Sequence, residues 1–362
     1  MGAMFWGGVL VLFLALCVYF MIVVNRLLSL NAKWKEKRAV RIGIKAGIYV
    51  LVMLLVGLVP ASFAFVFYAA VTSLLMEPLY ALLRKRKVWA FLRKSALIPI
   101  LVGVIATVIG LVMMRHVVRT DYTVLTDRLE SGEEVRIMFL SDLHYGNSLH
   151  KAQLDKLVQT WNNENVDAVI IGGDLVDEST KPAEMREIVR ALGSIQSRYG
   201  CFFIYGNHDR MEAGGRRTFS NDEFVSEMTA NGIAVLEDEY AMISPRIRLY
   251  GRKDRSEHRT DMNSLTNMRE TDGFLIIADH QPNDLKKEAK AGADLTLCGH
   301  THAGQFWPIG LIHEPFGFND LYYGCRQYDG MTAIVSSGMS GWYAPVRTEG
   351  RSEYVVITVK GK

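Results

Sequence analysis

Apolar and polar positions divide this chain into two unlike parts at about residue 114. Before that point the apolar runs are long and free of charge; after it they shorten to three to six residues and are regularly interrupted. Residues 1–25 carry no charged side chain, 46–76 carry none, and neither do 95–114. The 38 residues between Lys45 and Arg84 contain only Glu77. As one helix they would extend ~57 Å, far beyond the ~30 Å hydrocarbon core of a bilayer. Two crossings broken at Val59-Pro60-Ala61-Ser62 fit, because proline interrupts a helix. The pattern therefore predicts four membrane spans, at about 4–25, 43–60, 62–83 and 95–114.

Beyond that point, residues 115–132 read as a juxtamembrane connection with a first strand near 122–125, and 133–362 as a separate domain of alternating strands and helices. Strand-like runs occur at 135–140, 168–171, 201–205, 274–277, 295–298, 333–335 and 354–359, with further short ones at 233–236 and 246–250. Several are unbroken rather than alternating, as expected where helices cover both faces of a sheet. Helical patterns lie at 151–162, 182–195, 222–231 and 282–290. The predicted class is layered α/β, preceded by an all-α membrane domain.

Charge splits at the same boundary. Residues 1–114 hold 13 Lys/Arg against two Glu, whereas 115–362 hold 28 basic and 36 acidic residues. The basic residues flank the apolar runs instead of coating the globular part, so no nucleic-acid partner is expected. Seven lie in 26–45 and six in 84–94, with none near Pro60. Basic loops stay cytoplasmic, which predicts a multi-pass protein of the cell membrane with residues 115–362 on the extracytoplasmic side. A single crossing in 46–83 would reverse that sidedness. The basic cluster follows the first apolar run, the arrangement of a retained anchor and not of a cleaved signal. Glu77 is placed near a helix end, away from mid-membrane, and no buried charge pair is expected among the spans. Of the four cysteines, Cys17 falls in the first run, and Cys201 and Cys298 read as small buried strand residues.

The polar residues that follow the strands carry the chemistry. Ser141-Asp142-Leu143-His144 follows the first run, Gly172-Gly173-Asp174 the second, and Gly206-Asn207-His208-Asp209 the third. Asp279-His280-Gln281-Pro282 and Gly299-His300-Thr301-His302 follow two later ones. Ligands of open α/β sheets bind beyond the carboxyl ends of strands, and a carboxylate, imidazole and amide set suits borderline or hard divalent cations. Five of the nine histidines occupy these positions; His116, His150, His258 and His313 read as surface or juxtamembrane residues.

This ordered series resembles the calcineurin-like metallophosphoesterase superfamily. Gly-His-Thr-His-Ala-Gly-Gln at 299–305 and His-Gln-Pro at 280–282 are similar to its membrane-associated bacterial branch of YkuE/YaeI type. The resemblance covers about 120–362 and implies a four-layered αββα sandwich holding two divalent metal ions, such as Mn2+, Fe2+ or Zn2+. One ion would be bound by Asp142, His144 and His302, the other by Asn207, His280 and His300, with Asp174 bridging. His208 is similar to the family's catalytic histidine. Asp209 beside it is expected either to hold the imidazole in one tautomer or to cap a helix.

The implied reaction is hydrolysis of a phosphomonoester or phosphodiester by attack of a metal-bridging hydroxide, with protonated His208 serving the leaving group. An aromatic segment after His302 (Phe306, Trp307, Phe316, Phe318, Tyr322, Tyr323, Tyr328) is either a self-packed loop or an apolar lip suited to a lipid-linked or envelope phosphoester. Arg347 and Arg351 read as surface residues, the alternative being contact with a second phosphate. The alternatives are a pyrophosphohydrolase of UDP-diacylglucosamine-type lipid precursors at the cytoplasmic face, or a non-catalytic membrane sensor or scaffold. A full set of ligand positions together with His208 favours the enzyme.

Overall fold

A computed structural model describes residues 58–146, 148–210, 218–265, 268 and 272–362, with scattered positions between 19 and 54. The chain divides into two compact units, Met1–Leu111 and Val112–Lys362. Three helices open the continuously described part: α1 (Ser62–Leu82), α2 (Lys87–Ser95) and α3 (Leu97–Arg115). α1 and α3 have 21 and 19 residues and are long and apolar enough to cross a membrane. They coincide with the spans expected at 62–83 and 95–114. Those expected at 4–25 and 43–60 lie outside the continuously described residues.

Two local expectations change in the first unit. Part of the basic stretch 84–94, read as a loop, is helical in α2. Glu77 lies inside α1, beside Pro78, and does have charged partners. It pairs with Arg26, with Arg93 at 2.7 Å, and accepts a hydrogen bond from the Tyr19 hydroxyl at 2.9 Å. A carboxylate in so apolar a setting costs several kcal/mol unless paired, which accounts for the company it keeps.

The second unit contains twelve strands. In chain order they are β1 (Val117–Thr126), β2 (Glu134–Leu140), β3 (Ala168–Ile171), β4 (Cys201–Ile204), β5 (Ile233–Leu236) and β6 (Glu239–Ser244), then β7 (Ile247–Gly251), β8 (Phe274–Ala278), β9 (Leu295–Cys298), β10 (Gly324–Tyr328), β11 (Met331–Val335) and β12 (Ser352–Gly361). Four main helices accompany them: α4 (Lys151–Asn162), α5 (Pro182–Gly193), α6 (Asn221–Ala230) and α7 (Leu285–Ala291). The strands form two six-stranded sheets, ordered β1-β12-β2-β3-β4-β5 and β10-β11-β9-β8-β7-β6. The stretch 115–132, expected as a connection with a short strand, holds the ten-residue β1, paired in parallel with β12.

Unbroken apolar runs hide a strict alternation. Ile137, Phe139, Ile170, Phe202 and Ile204 point into the gap between the sheets, against Leu249, Ile276, Leu295, Leu297 and Ile334. Their neighbours Met138, Leu140, Val169, Ile171 and Phe203 face the other way, onto Trp161, Ile188, Leu192 and Phe224 of the helices. Leu275, Ile277 and Val335 of the second sheet pack outward with Met262 and Leu285. Each such side chain, fully buried, contributes roughly 1.5–3 kcal/mol. A polar substitution on either face is therefore costly, and this is why polar breaks are rare in the runs, the buried Thr296 finding a partner in Met331 Sδ.

Parallel pairing of β2, β3 and β4 in one sheet, and of β7, β8, β9 and β11 in the other, sets their carboxyl ends in rows. The loops leaving those ends carry the polar motifs.

Candidate metal centre

The backbone at this rim is bent in a way few residues tolerate. Asp142, His144, Asp174, His300 and His302 have φ of 53°, 39°, 52°, 71° and 49°. Such left-handed conformations are uncommon for non-glycine residues and concentrate at sites where surrounding structure holds them. Two glycines let the loops close in. A Cβ at Gly173 (φ +87°) would lie 2.5 Å from the Gly206 nitrogen, and one at Gly206 would lie 2.2 Å from Asp174 Oδ1. Neither position has room for a side chain.

Two groups of donors result. Asp142, His144 and His302 form one, and Asp174, His280 and His300 the other; in each, one atom per residue lies within 4.8 Å of the others. His302 Nε2 is 3.6 Å from Asp142 Oδ1. Asp174 Oδ2 faces both groups, 3.7 Å from His144 Nε2 and 3.2 Å from His280 Nε2. Backbone contacts aim the imidazoles. His280 Nδ1 donates to Gly172 O at 2.8 Å and His302 Nδ1 to Ser340 O at 3.1 Å. Each Nδ1 thus carries a proton and each Nε2 faces the cluster, the arrangement usual for ligating histidines. Burial alone would lower the His280 pKa, but the Asp174 charge raises it well above its ordinary value, so its Nε2 must give up a proton to ligate. The Asp142 carboxylate accepts the His300 backbone N–H at 2.9 Å, tying the end of β2 to the end of β9.

The donor set fits divalent cations. Both ring nitrogens of His144 and Oδ1 of Asn207 are buried and have no hydrogen-bond partner among the described residues. Orphaned buried polar atoms are rare in folded proteins and call for a ligand or ion. Burial pushes the His144 and His302 pKa values down, and burial with the His280 charge brings His300 to about 4. These three are neutral, as a metal ligand must be. Burial alone would raise Asp174, but the charge and hydrogen bond of His280, and then the charge of His208, hold it well below the usual carboxylate range.

His208 and Asp209 separate in role. The Asp209 carboxylate is fully buried and accepts backbone N–H bonds from Asp174 (2.7 Å), Leu175 (2.8 Å), Val176 (3.1 Å) and Gly206 (2.7 Å). It clamps the loop after β3 to the loop after β4, a correction to its expected role in orienting His208 or capping a helix. The carboxylate at His208 is Glu178, whose Oε1 accepts from Nδ1 at 3.2 Å. Burial lowers the His208 pKa, but the Glu178 hydrogen bond and the Asp174 charge outweigh it and bring it to about 9. Its backbone N–H donates to Asp174 Oδ1 at 2.8 Å. Only the spacing of Glu178, four residues after Asp174, could have flagged it, and that is a weak signal.

Other expectations change as well. Arg347 is fully buried and not at the surface, donating to His302 O (2.8 Å), Ser337 O (2.8 Å) and Ser340 O (2.6 Å). It thereby braces His302, while Arg351 is exposed as expected. His313 is half-buried, bonded to Asn319 and packed on Phe318 and Tyr322. The aromatic segment is mixed: Phe306 is buried, whereas Trp307 and Phe316 are exposed.

Residues 135–304, which hold every one of these donors, match the family model described as calcineurin-like phosphoesterase. The chain carries a calcineurin-like phosphoesterase domain. Over 286 residues it is 30% identical to a zebrafish (Danio rerio) "transmembrane protein with metallophosphoesterase domain", covering 74% of this chain and 63% of that protein. It is 30% identical over 244 residues to an uncharacterized metallophosphoesterase of Helicobacter pylori, covering 65% and 62%. Over 252 residues it is 26% identical to the uncharacterized metallophosphoesterase YkuE of Bacillus subtilis, covering 67% and 85%. The chain thus spans just under two thirds of the first two relatives. In the phosphoesterase domain the candidate metal donors are contributed by both sheets: Asp142, His144, Asp174 and Asn207 from the first, with His208 beside them, and His280, His300 and His302 from the second.

Proposed function

We propose that the chain is a membrane-anchored dimetal phosphoesterase. Asp142, His144 and His302 hold one divalent ion, Asn207, His280 and His300 the other, and Asp174 serves both. The observation that carries this reading is the Asp174 carboxylate, buried and within 3.7 Å of an imidazole from each group. When bound, two divalent ions neutralise phosphoryl oxygens and acidify a water molecule. The protein supplies the rest. Glu178 keeps His208 protonated and turns its Nε2 toward the cluster, where it donates a proton to the departing ester oxygen. Asp209 fixes the loops that carry Asp174 and His208, and Arg347 steadies the turn bearing His302.

Metal analysis of the purified chain, coupled to hydrolysis of generic phosphomonoesters and phosphodiesters with added Mn2+, tests the reading. Fewer than two ions per chain, or no metal-dependent hydrolysis, would defeat it. α1, α3 and the zebrafish relative's name support the anchor. The basic residues at 26–45 and 84–94, with none near Pro60, favour a domain outside the cytoplasm and an exported or envelope phosphoester. Protease or thiol labelling of intact cells should then reach residues 115–362 without permeabilisation. Access only after lysis would favour hydrolysis of a lipid precursor at the cytoplasmic face.

A further inference from the structure

The end of α3 is fastened to the loop that borders the candidate centre. Met114 is buried, its carbonyl accepts Ser352 Oγ at 3.0 Å, and the Arg115 carbonyl accepts Gln153 Nε2 at 3.0 Å. Gly341 sits directly against it: a Cβ there would lie 2.3 Å from Met114 Cε and 2.9 Å from Gln305 Nε2. The two residues that follow, Trp342 and Tyr343, are 47% and 42% exposed. Trp342 is also at the mouth of the centre, its ring 6.4 Å from that of His208. One short loop therefore joins the last turn of an apolar helix to the candidate proton donor.

That loop is held stiffly. Gln305 Nε2 donates to the carbonyls of Trp342 (3.1 Å), Ala344 (3.0 Å) and Val346 (3.1 Å), and its Oε1 accepts the Trp342 N–H at 3.0 Å. Tyr343 has φ of 62°, a conformation that is an outlier for a bulky side chain. Two residues after Gln305, Trp307 is 53% exposed, with its N–H bonded to Thr348 Oγ1 at 3.2 Å. Chains seldom strain their backbone to display aromatic rings to water. Tryptophan and tyrosine, amphipathic at their edges, belong at the level where a membrane helix leaves the hydrocarbon, and Met114 is at that level if α3 crosses.

We propose that Trp342, Tyr343 and Trp307 seat in the headgroup layer of a phospholipid bilayer, so that the centre takes phosphoesters of bilayer amphiphiles from the membrane plane. This deepens the preceding reading and rests on the anchor and the phosphoesterase activity. The test uses the full chain in phosphatidylcholine–phosphatidylglycerol vesicles, with Cys17 and Cys325 changed to serine and a nitroxide placed by Tyr343→Cys or Trp307→Cys. A label at Asp222→Cys, exposed on α6, is the control. At 343 and 307 the ratio of collisions with oxygen to collisions with a nickel chelate should exceed the control several-fold. A ratio equal to the control overturns the proposal, and so does exclusion of both reagents, which marks a protein contact. The substrate half is read from nitrophenol release by a dioleoylglycerol phosphodiester in the vesicles relative to soluble bis-nitrophenyl phosphate. Tyr343→Ser should lower that ratio about tenfold, and an unchanged ratio overturns direct capture. A chain inactive on both esters defeats the phosphoesterase reading, while the label result still decides the docking surface.

Discussion

Two clusters of buried charge meet at the adjoining residues Asp279 and His280, and they are built on opposite rules. Around Arg252 the charges answer one another. Its guanidinium reaches Asp279 at 2.6 Å, Glu288 at 3.0 Å and Asp284 at 3.3 Å, and Arg259 adds bonds to Asp279 and Asp284 at 2.9 and 2.8 Å. Burial and the Asp279 charge push the Glu288 carboxyl up to about 8, so it is mostly neutral at pH 7. Two guanidiniums, with Lys287 at 2.8 Å from Asp284, then face two carboxylates, so each charge has an opposite partner. In the candidate centre, no lysine or arginine pairs with Asp142 or Asp174 among the described residues, and burial keeps three of the imidazoles neutral. A buried cluster whose charges are paired is architecture; one that, beyond His280 and His208, offers its carboxylates only neutral imidazoles and leaves His144 and Asn207 atoms without partners points to what it binds.

Removing the shared carboxylate tests this contrast most severely. Asp174→Asn should strip both ions and, with several kcal/mol of transition-state stabilisation gone, lower hydrolysis on the order of 10³-fold. Metal content and turnover measured on one preparation check it, and two tightly held ions with near-normal turnover would collapse the distinction. His208→Ala should leave both ions in place and lower kcat on the order of 10²–10⁴-fold. The loss should shrink on nitrophenyl esters, whose leaving group needs little protonation; a fall in bound metal would make His208 a ligand instead. On the paired cluster the effect should fall on folding. Arg252→Ala leaves buried carboxylates unpaired and should cost about 3–5 kcal/mol, read by urea titration of the full chain in detergent, and a change within ~1 kcal/mol would show the cluster is not integral to the fold. The smallest effect belongs to Glu178→Gln, which keeps the hydrogen bond and removes the charge. It should lower kcat about tenfold without altering metal content, most visibly on esters with poor leaving groups, and equal losses on all esters would assign Glu178 a different task.

The parts legible in sequence were those where physics narrows the choice of residue. Strands buried on both faces are nearly all apolar, so β2 from Ile137 onward, β3, β4, β8 and β9 (Thr296 apart) stood out, and Asp, Asn and His directly after them had few other reasons to be there. Edge strands obey no such rule. β10 reads Gly-Cys-Arg-Gln-Tyr and is mostly exposed, and β6 is paired on one side only, so neither carries a periodic signal. β1 was recognised only around 122–125, because its partner β12 lies more than two hundred residues away. Arg347 is inward-facing because three carbonyls from separate turns converge on it, a circumstance no local pattern encodes. Glu178 escaped notice for the same reason: adjacency along the chain favoured Asp209 as the partner of His208, whereas loop closure brought Glu178 to the imidazole.

The left-handed backbone at Asp142, His144, Asp174, His300 and His302 sets the protein's purpose against its durability. Conformations of this kind cost of order 1–3 kcal/mol each, and glycine would relieve them at once. Change to glycine at any of these five positions is therefore rewarded with sturdiness even as it discards a candidate metal-binding side chain. A lineage released from the need for this chemistry should drift toward a tougher, silent descendant with the same two sheets, and persistence of all five side chains in a living population would record continuous use.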